Sequence, residues 1–470
     1  MEPWTFDQIR RVTLGRRLTR GKIGFTGRIC TDSRQAMPGD LFFTIKGARF
    51  DAREFLSDVI GRGAAGIVLD GEVSADLLAK AERVGVTVLA TDSTVKALNR
   101  LAAAVRREWR TRVIAVGGSN GKTTTKGIIY EVLSTKFTGY ASPKSFNNNI
   151  GLPLTLLAVE PQHEFVVVEI GTNSPGEVES LGLVAQPDIA VITSVGMEHL
   201  EFFGDLAGVA REEASLVRHV AHGAVLFMPN DSPELVEALR MSRISRFTVG
   251  YGGTGAELEA TEIVEKPEGV EFSLNGRRRF TVPLLGRHNV INSLLAIGVA
   301  RRMGLDDELI SQGLLRLKPA PMRLQSQRMG EHIVINDAYN ANPTSVTSAL
   351  EVLARFPAGR RRRVAILGDM LELGAASETC HREIGRCVAQ HQIDLLVAVG
   401  PQMRLAAEEA QRQGVASKQA DSPGQAGALL KGLLKGDELI LLKGSRGMRM
   451  EDALKALEPA EPVATMRQAR

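Results

Sequence analysis

Short apolar runs rich in β-branched residues alternate with longer stretches of helical periodicity from about Arg112 onward. This alternation is typical of parallel sheets whose strands are joined by crossover helices. The chain is therefore predicted to be an α/β protein with two consecutive parallel-sheet units. The predicted strands are Val113 to Val116, Phe165 to Ile170, Asp188 to Ser194 and Ala224 to Met228 in the first unit, and Val334 to Ile335, Val364 to Leu367, Leu395 to Val399 and Leu439 to Leu442 in the second.

The segment between the two series of predicted strands has a different sequence pattern. Gly250 to Gly255 is a glycine cluster, and Ala260 to Leu284 has hairpin character, with Asn275-Gly276 as its turn. We predict a small antiparallel elaboration of the first unit at this place. Pro319-Ala320-Pro321 resists helix continuation and suits a linker to the second unit.

A third, smaller unit is predicted to precede both. The 470 residues have room for about three domains. Residues 1–100 carry a mixed pattern, with Pro38-Gly39-Asp40 as a turn before a strand over Leu41 to Ile45. The predicted division is 1–100, 101–320 and 321–470, and the tail Glu458 to Arg470 is expected to fray because it is rich in Pro, Ala and charge.

Composition narrows the choice of partner. With 58 Lys and Arg against 54 Asp and Glu, the formal charge of +4 gives no electrostatic footprint for a nucleic acid. The apolar runs are far shorter than the roughly 20 residues that cross a bilayer, and the start MEPWTFDQIRR lacks the pattern of a secretory signal. Cys30, Cys380 and Cys387 form no paired framework and have no metal-binding spacing. We expect a cytoplasmic protein without a nucleic-acid partner or a membrane span.

The most specific local signal lies where the first central strand ends. Glycines let backbone N–H groups turn toward phosphates, the following helix adds its positive dipole end, Lys122 can reach the β and γ phosphates, and the Thr123 hydroxyl can hold Mg²⁺. The general pattern has glycine where this chain has Val116, and Gly118 provides the turn instead. The alternative is a structural glycine-rich turn. We predict a nucleoside triphosphate site formed by Gly118, Ser119, Asn120, Gly121, Lys122, Thr123 and Thr124.

Two further candidates follow strands of the same unit, where ligands of parallel sheets collect. Glu169 ends the run Phe165 to Val168, so its carboxylate emerges beside the predicted phosphates, where Mg²⁺ would accept it. His199 follows the strand Asp188 to Ser194 in the equivalent position. By itself, such a histidine is more often a hydrogen-bonded structural residue than a ligand.

A series of motifs in order now gives the sequence a resemblance to the Mur ligases, the ATP-dependent amide-forming enzymes of peptidoglycan precursor synthesis. The match runs through nearly the whole chain and is far more specific than the phosphate cradle alone. Its motifs are TDSRQAMPGDLFFTIKG, GGSNGKTTTK, SFNNNIGLPLTLL, VVVEIGTNSPGEV, TSVGMEHLEFFGDLAGVAREEA, GRHNVINS, NDAYNANPTS, LGDMLELG and LLKGSRGMRME.

Two of these motifs, YNANP and GDMLELG, are similar to those of the family member that joins D-alanyl-D-alanine to UDP-N-acetylmuramoyl-tripeptide. The member that adds the third amino acid is expected to carry D-N-P-R, and the corresponding stretch here is Ala341-Asn342-Pro343-Thr344. The resemblance thus implies these two substrates, with ATP and Mg²⁺ as cofactors. It leaves open whether the third residue of the tripeptide is diaminopimelate or lysine.

The resemblance also implies an architecture and a mechanism. A small mixed α/β amino-terminal domain would hold the UDP end, a central P-loop domain would bind ATP, and a Rossmann-like carboxyl-terminal domain would bring the incoming dipeptide. The tripeptide's terminal carboxylate would attack the γ-phosphate, and the dipeptide's amine would displace phosphate from the resulting acyl phosphate. Because charge accumulates on the transferred phosphoryl group, Lys122 and magnesium are expected to dominate its stabilisation.

The resemblance assigns catalytic and metal roles to four residues. Lys122, Glu169 and His199 are implied as catalytic. Thr123 and Glu169 resemble ligands of the nucleotide-bound Mg²⁺, and His199 resembles a ligand of a second Mg²⁺.

Four more residues are implied on the nucleotide. Asn289 and Asn292 match the segment that borders the adenine, and the alternative for them is helix capping at the start of Val290 to Ala300. Arg323 and Asp337 resemble residues that approach the nucleotide from the carboxyl-terminal side.

The substrate residues implied by the resemblance lie in all three units. Ser33 and Arg34 match the uridine-diphosphate region, where a forked arginine suits a diphosphate and a surface salt bridge is the alternative. For an isolated Asn-Pro pair, a turn is the alternative reading. The other matched residues are Asn148 and Asn149 beside the cradle, Asn340 and Asn342 near the reacting centre or dipeptide, and Lys443, Ser445 and Arg446, whose positive charge would answer the dipeptide's carboxylate.

One position departs from the family pattern. Many Mur ligases are expected to carry a lysine, modified by carbon dioxide to a carbamate, about fourteen residues beyond the metal histidine, and this chain has Glu213 there. We predict that Glu213 supplies a permanent carboxylate for the second Mg²⁺. The alternative is a solvated helix residue with a more loosely held metal.

Two other functions remain open from the sequence. One is another Mur or folyl-polyglutamate-type ligase, and the other is a non-catalytic nucleotide-binding regulator on the same scaffold. The expected oligomeric state is a monomer.

Overall fold

The computed structural model describes residues 4–47, 50–357, 359 and 361–456, and these residues form three sheets in chain order. The tail predicted to fray, Glu458 to Arg470, lies outside the described residues. Within the described ranges, no helix is both long and apolar enough to cross a membrane.

The first sheet has five strands in the order β1-β5-β4-β3-β2, with β1 antiparallel to β5 and the others parallel. The predicted strand at Leu41 is present and fully buried. The elements are α1 (Phe6–Thr13), β1 (Arg16–Thr19), β2 (Ile29–Cys30), β3 (Leu41–Phe43), α2 (Leu56–Gly61), β4 (Gly66–Asp70), α3 (Ala75–Val84), β5 (Thr87–Thr91) and α4 (Thr94–Arg107).

The second sheet has nine strands in the order β14-β13-β12-β11-β10-β9-β6-β8-β7. Its elements are β6 (Arg112–Gly117), α5 (Lys122–Leu133), β7 (Gly139–Ala141), α6 (Gly151–Leu157), β8 (Phe165–Glu169), α7 (Glu177–Ala185), β9 (Ile189–Ile192), α8 (Leu200–Phe203), α9 (Leu206–Ala214), β10 (Val225–Pro229), α10 (Pro233–Ala238), β11 (Ser245–Tyr251), β12 (Leu258–Lys266), β13 (Gly269–Leu274), β14 (Arg278–Val282), α11 (His288–Arg302) and α12 (Asp307–Leu315).

The central sheet is parallel from β7 to β12 and antiparallel from β12 to β14. The four predicted strands and the antiparallel elaboration are therefore confirmed, and Asn275-Gly276 forms the β13–β14 turn. Strand β6 lies between β8 and β9, so the chain order reverses there. Open α/β sheets bind ligands at such a switch point, beyond the carboxyl ends of the strands.

The third sheet has six strands in the order β15-β16-β20-β17-β18-β19, and only the β15–β16 pair is antiparallel. The four strands predicted for the second series are confirmed. The elements are β15 (Gln325–Met329), β16 (His332–Asp337), α13 (Pro343–Arg355), β17 (Arg362–Gly368), α14 (Ser377–Gln390), β18 (Leu395–Val399), α15 (Met403–Arg412), β19 (Ala416–Ala420), α16 (Pro423–Leu433) and β20 (Glu438–Lys443).

Continuous apolar runs explain why these strands occupy sheet centres. Strands β8, β18 and β20 are buried along their whole length, as expected for parallel strands covered by helices on both faces. One layer of the central core packs under α5 and α11, and the other packs under α6 and α7. Because the central strands are parallel, their carboxyl ends lie at one edge of the sheet, and the site lies at that edge.

Candidate active site

The loop after β6 turns back sharply to form the predicted cradle. Gly118 and Gly121 both have positive φ, +110° and +87°, a conformation that favours glycine. A Cβ atom on Gly118 would lie 2.4 Å from Oγ1 of Thr193, so no side chain fits there. The loop ends at Lys122, where α5 begins with its free backbone N–H groups. The local structure thus matches the predicted phosphate cradle.

The ammonium group of Lys122 lies over this loop. Its Nζ donates to the carbonyls of Gly118 at 2.5 Å and Ser119 at 3.1 Å, and it lies 3.9 Å from Oε1 of Glu198. Burial tends to lower the pKa of Lys122, but the negative charges of Glu198, Glu213 and Glu169 outweigh burial and raise that pKa. Among the described residues, the positive charge of Lys122 therefore has only the long contact with Glu198 as an ion pair.

The carboxylate of Glu169 is held by three side chains at the end of β8. Its Oε2 accepts from Oγ1 of Thr123 at 2.9 Å and lies 3.2 Å from Nζ of Lys126, while its Oε1 accepts from Nδ2 of Asn147 at 3.2 Å. Lys126 also donates to the carbonyls of Ser142 and Lys144. Thr123 and Glu169, both predicted as ligands of Mg²⁺, are therefore direct neighbours, and both supply hard oxygen atoms of the kind that Mg²⁺ prefers.

Glu213 lies beneath the cradle, on α9, and has no exposed surface. Its Oε2 accepts from the backbone N–H of Gly118 at 2.6 Å, whereas its Oε1 has no hydrogen-bond partner. Burial raises the pKa of Glu213 to about 8. The alternative of a solvated helix residue is wrong, since the side chain is enclosed. Its role as a metal ligand stays a prediction, because the described residues hold no cluster of three or more His, Cys, Asp or Glu around one metal-sized position.

The carboxyl-terminal unit reaches the cradle through the segment before β15 and the loop after β16. Nη2 of Arg323 donates to Oγ1 of Thr123 at 3.0 Å, and its guanidinium lies 4.0 Å from the ring centroid of Tyr339. The Tyr339 hydroxyl donates to Oγ of Ser145 at 2.7 Å. Arg323 therefore stands beside the predicted metal and phosphate position, as the resemblance implies.

Asn342 has the turn-type role considered for it, and its role in substrate binding stays a prediction. Its Oδ1 accepts from the backbone N–H of Ser345 in a capping box at the start of α13, which is the turn-type role. Its Nδ2 donates at 3.0 Å to Oδ1 of Asn120 in the cradle. The Asn342 side chain thus caps α13 beside the third sheet and also contacts the loop after β6 of the second sheet.

Asn289 and Asn292 lie on the first turns of α11 and contact the back of the cradle. Nδ2 of Asn289 donates to the carbonyl of Leu285 at 2.7 Å, and its Oδ1 accepts from Asn292 at 2.8 Å. Oδ1 of Asn292 accepts from Thr125 on α5 at 3.1 Å. The residue that caps α11 is Arg287, which makes no side-chain cap, so the capping alternative is wrong for both asparagines.

Lys443 has a different environment from the one expected. Its Nζ is buried and donates to Oδ2 of Asp337 at 2.6 Å and to the carbonyl of Asn340 at 2.8 Å. Strands β16 and β20 are parallel neighbours with Asp337 opposite Lys443, so their ends meet. The expectation that Lys443 offers a free positive charge to the dipeptide is therefore corrected, because Asp337 neutralises it.

The other two residues of the same motif differ from each other. Oγ of Ser445 is buried and accepts from the backbone N–H of Leu371 at 2.9 Å, which joins two loops of the third sheet. Arg446 has a side chain that is 52% exposed and lies 2.9 Å from Glu451. Arg446 is therefore the better candidate of the motif for contact with a carboxylate.

His199 reaches the carboxyl-terminal unit from the loop that follows β9. Its Nδ1 lies 2.7 Å from Oε2 of Glu372. The carboxylate lies away from the direction of the ring N–H, so the contact is an ion-pair approach and not an aligned hydrogen bond. Glu372 belongs to the quoted motif LGDMLELG but was not predicted as a site residue.

One cavity of about 1010 Å³ unites most of these groups. It opens between the cradle, α11 and the loops after β16 and β20, and this volume is at the upper end of the range typical of small-ligand sites. Every predicted site residue lines it except Ser33, Arg34, Gly118, Asn149 and Glu213.

The uridine-diphosphate residues are the most distant of these exceptions. The Arg34 side chain is 86% exposed, and its guanidinium pairs with Asp32 at 2.7 Å. The surface salt bridge considered as the alternative is therefore present, and the binding role of Ser33 and Arg34 stays a prediction. Near the cradle, Oδ1 of Asn148 accepts from the backbone N–H groups of Ile150 and Gly151 at the start of α6, and the Asn149 carbonyl accepts from Asn99.

Sequence reasoning missed four side chains that this geometry brings in. All four lie inside motifs already quoted, and all but Glu372 lie next to a predicted residue or one helical turn from it, which is the signal that could have found them. They are Lys126, Glu198, Tyr339 and Glu372.

Comparison with known proteins identifies the family of this site. Residues 116–300 match the profile described as Mur ligase middle domain, and residues 322–446 match that described as Mur ligase, glutamate ligase domain. The chain belongs to the Mur ligase family. This membership agrees with the resemblance inferred from the motifs and with the cavity between the second and third sheets.

Individual Mur ligases resemble the chain over nearly its whole length. The UDP-N-acetylmuramoyl-tripeptide--D-alanyl-D-alanine ligase of Bacillus subtilis is 36% identical over 435 residues, which cover 91% of this chain and 92% of that protein. The Escherichia coli enzyme of the same name is 33% identical over 92% and 93% of the two chains.

Solved structures agree with the fold. A crystal structure of MurF from Acinetobacter baumannii has a TM-score of 0.85 and 31% identity, covering 97% of this chain and 99% of that one. MurF ligase from Thermotoga maritima, in complex with ADP, has a TM-score of 0.79 and 26% identity, covering 92% and 96%. The three-sheet α/β architecture is therefore that of Mur ligases.

Proposed function

We propose that this Mur ligase joins D-alanyl-D-alanine to UDP-N-acetylmuramoyl-tripeptide, with ATP converted to ADP and phosphate. The observation that carries the proposal is the match, through more than nine-tenths of both chains, to ligases that bear this name in two distant bacteria. The cavity supports it, because the phosphate cradle faces loops of a second unit that can hold another substrate.

The residues present fit a magnesium ion at the cradle. The Thr123 hydroxyl and the Glu169 carboxylate meet there, and Lys126 and Asn147 fix the carboxylate in place. We propose that Thr123 and Glu169 hold Mg²⁺ on the nucleotide, with His199 and Glu213 as candidates for a second ion. When bound, Mg²⁺ supplies positive charge that neutralises the phosphate oxygens.

In the first chemical step, the chain's own cations stabilise the transferred phosphoryl group. A carboxylate oxygen of the tripeptide attacks the γ-phosphorus, the bond to the β-phosphate oxygen breaks, and ADP leaves. The hydrogen bonds of Lys122 go to loop carbonyls and its contact with Glu198 is 3.9 Å long, so its ammonium can turn to phosphate oxygens without breaking a close ion pair. Arg323 reaches the same place from the carboxyl-terminal side.

In the second step, the dipeptide's neutral amine attacks the acyl carbon, phosphate leaves with the former carboxylate oxygen, and the nitrogen loses one proton. Asn340 and Arg446 line the cavity opposite the cradle. We propose that Arg446 binds the dipeptide's free carboxylate, since its ion pair with Glu451 is half exposed to solvent, whereas that of Lys443 with Asp337 is buried.

We also propose a division of labour by position in the chain. Residues 1–100, with Ser33 and Arg34, would hold the UDP end, residues 101–320 would bind ATP, and residues 321–470 would bring the dipeptide. The matching motifs of the first unit support its role, and the cavity walls support the other two.

The test is ADP release by the purified full chain with ATP and Mg²⁺, with each of the two substrates alone and both together. We expect ADP release only with both. Release that needs a different amine, such as diaminopimelate, lysine or glutamate, would assign the chain to another ligase activity. Nucleotide binding without release under any pairing would favour the regulator.

A further inference from the structure

His199 and Glu372 form a contact between the central and the carboxyl-terminal units. His199 belongs to the loop between β9 and α8, and Glu372 belongs to the loop after β17. The side chain of His199 is 15% exposed and that of Glu372 is 53% exposed, so the carboxylate closes over the ring from the solvent side. Around the pair, the backbone N–H of Glu201 donates to the carbonyl of Glu372 at 3.5 Å.

Both residues of the pair have a left-handed backbone. His199 has φ of +49° and Glu372 has φ of +63°, a region that side chains other than glycine rarely occupy. Such conformations persist only when the surrounding structure imposes them, and they cluster at functional sites. Here two residues with such conformations contact each other across two units. This indicates that the junction between the units has a functional role.

The chemistry of imidazole suggests that purpose. His199 lines the cavity beside the cradle. When one ring nitrogen is held by a carboxylate, the tautomer and the ring orientation are fixed, and the other nitrogen is presented to a ligand. Nδ1 is the nitrogen next to Glu372, so Nε2 is the one left for the cavity.

We infer that Glu372 is a positioning residue: by holding Nδ1 of His199, it makes the nucleotide and metal site of the central unit complete only when the carboxyl-terminal unit is docked. The inference rests on the proposed function, because it takes His199 to face the metal-bound nucleotide.

The test is Mn²⁺ binding to the full chain in the presence of ADP, followed by electron paramagnetic resonance, for wild type, Glu372→Ala, Glu372→Gln and Glu201→Ala. Loss of a carboxylate that orients a metal-ligating histidine typically weakens metal affinity by about 10- to 100-fold. We expect Glu372→Ala to weaken Mn²⁺ binding by about tenfold or more. We expect Glu372→Gln to recover most of the loss, because its amide oxygen can occupy the same position 2.7 Å from Nδ1.

Glu201→Ala is the matched control. Glu201 is an exposed glutamate at the same junction, and its side chain is not part of the pair. It should bind Mn²⁺ like wild type. If Glu372→Ala does not fold by circular dichroism, Glu372→Leu, which keeps the side-chain bulk, replaces it.

Two results would overturn the inference: Mn²⁺ affinity of Glu372→Ala equal to that of wild type, or an equal loss in Glu372→Gln, which would assign the effect to charge alone. Failure of the proposed function is a separate result. It would appear as wild-type protein that binds Mn²⁺ and ADP but releases no ADP with both substrates.

Discussion

Two lysines face the same cavity, and they differ in what surrounds them. Nζ of Lys443 donates to a carboxylate 2.6 Å away and is 3% exposed, so it closes a buried ion pair between β16 and β20. Nζ of Lys122 has no carboxylate closer than 3.9 Å and bonds only to carbonyls of its own loop. The comparison teaches that a lysine in a motif is available to a ligand only if the fold places no carboxylate within hydrogen-bond distance of its ammonium group.

The largest expected effect is on Lys122. Lys122→Met should lower kcat for ADP release by about 10³-fold, because one preorganised donor to the transferred phosphoryl group is lost. Its thermal stability should stay close to that of wild type, since the only ion pair lost is the 3.9 Å contact with Glu198 among the described residues. A steady-state assay and a melting curve measure the two quantities, and a fall of less than tenfold would contradict the assignment.

The next largest effect is expected at Lys443, where the substitution should reduce stability. Lys443→Met should lower the free energy of unfolding by about 3 kcal/mol, because Asp337 is left as an uncompensated, largely buried charge. Urea denaturation measures this loss. The double variant Lys443→Met, Asp337→Asn should recover most of it, and equal stability of the single and double variants would disprove the ion-pair explanation.

A smaller effect concerns the carboxylates around Lys122. The pKa of Glu213 is raised from its model-compound value of 4.5 to about 8, so the folded protein disfavours the ionised form. Below pH 4.5 this carboxyl is protonated in both states. Between pH 4.5 and 8 the unfolded state loses its proton first, and folding stability declines. Glu213→Gln, without metal or nucleotide, should therefore raise the melting temperature little at pH 5 and more at pH 9.

The neighbouring Glu212 provides the control. Its two oxygens accept from the backbone N–H groups of Gly176 and Val178, both at 2.9 Å. Glu212→Gln should lower the melting temperature, since the amide loses one acceptor. A gain for Glu213→Gln that is equal at pH 5 and pH 9 would contradict the titration argument.

The last prediction is that bicarbonate has no effect on the rate of ADP release. If Glu213 serves as a permanent carboxylate, adding or removing bicarbonate should leave the rate of ADP release unchanged, because no lysine needs carbamylation at this position. Clear dependence on bicarbonate would show that a carbamate forms elsewhere in the site and would remove that role from Glu213.

The sequence predicted the sheet centres and the cradle well, because both depend on local pattern. Apolar runs such as Leu395 to Val399 become buried strands with the same bounds, and the glycines of the cradle have the conformation that their spacing requires. Short edge strands such as β2 and β7 were not predicted, since two or three residues carry too little pattern.

The contacts between units could not be predicted from local pattern. The pairs His199 with Glu372 and Arg323 with Thr123 depend on how one folded unit docks on another. The partner of Lys443 depends on β20 lying beside β16, although 106 residues separate the pair. Such pairings are decided by topology, which the residue types alone do not specify.

The measurement that tests the proposed ligase mechanism most directly is oxygen transfer from the tripeptide to phosphate. The terminal carboxylate of UDP-N-acetylmuramoyl-tripeptide is labelled with ¹⁸O, and the phosphate released in the presence of ATP, Mg²⁺ and D-alanyl-D-alanine is analysed by mass spectrometry. Passage through an acyl phosphate predicts one ¹⁸O atom in each phosphate released. Unlabelled phosphate, with the peptide product still formed, would contradict the mechanism.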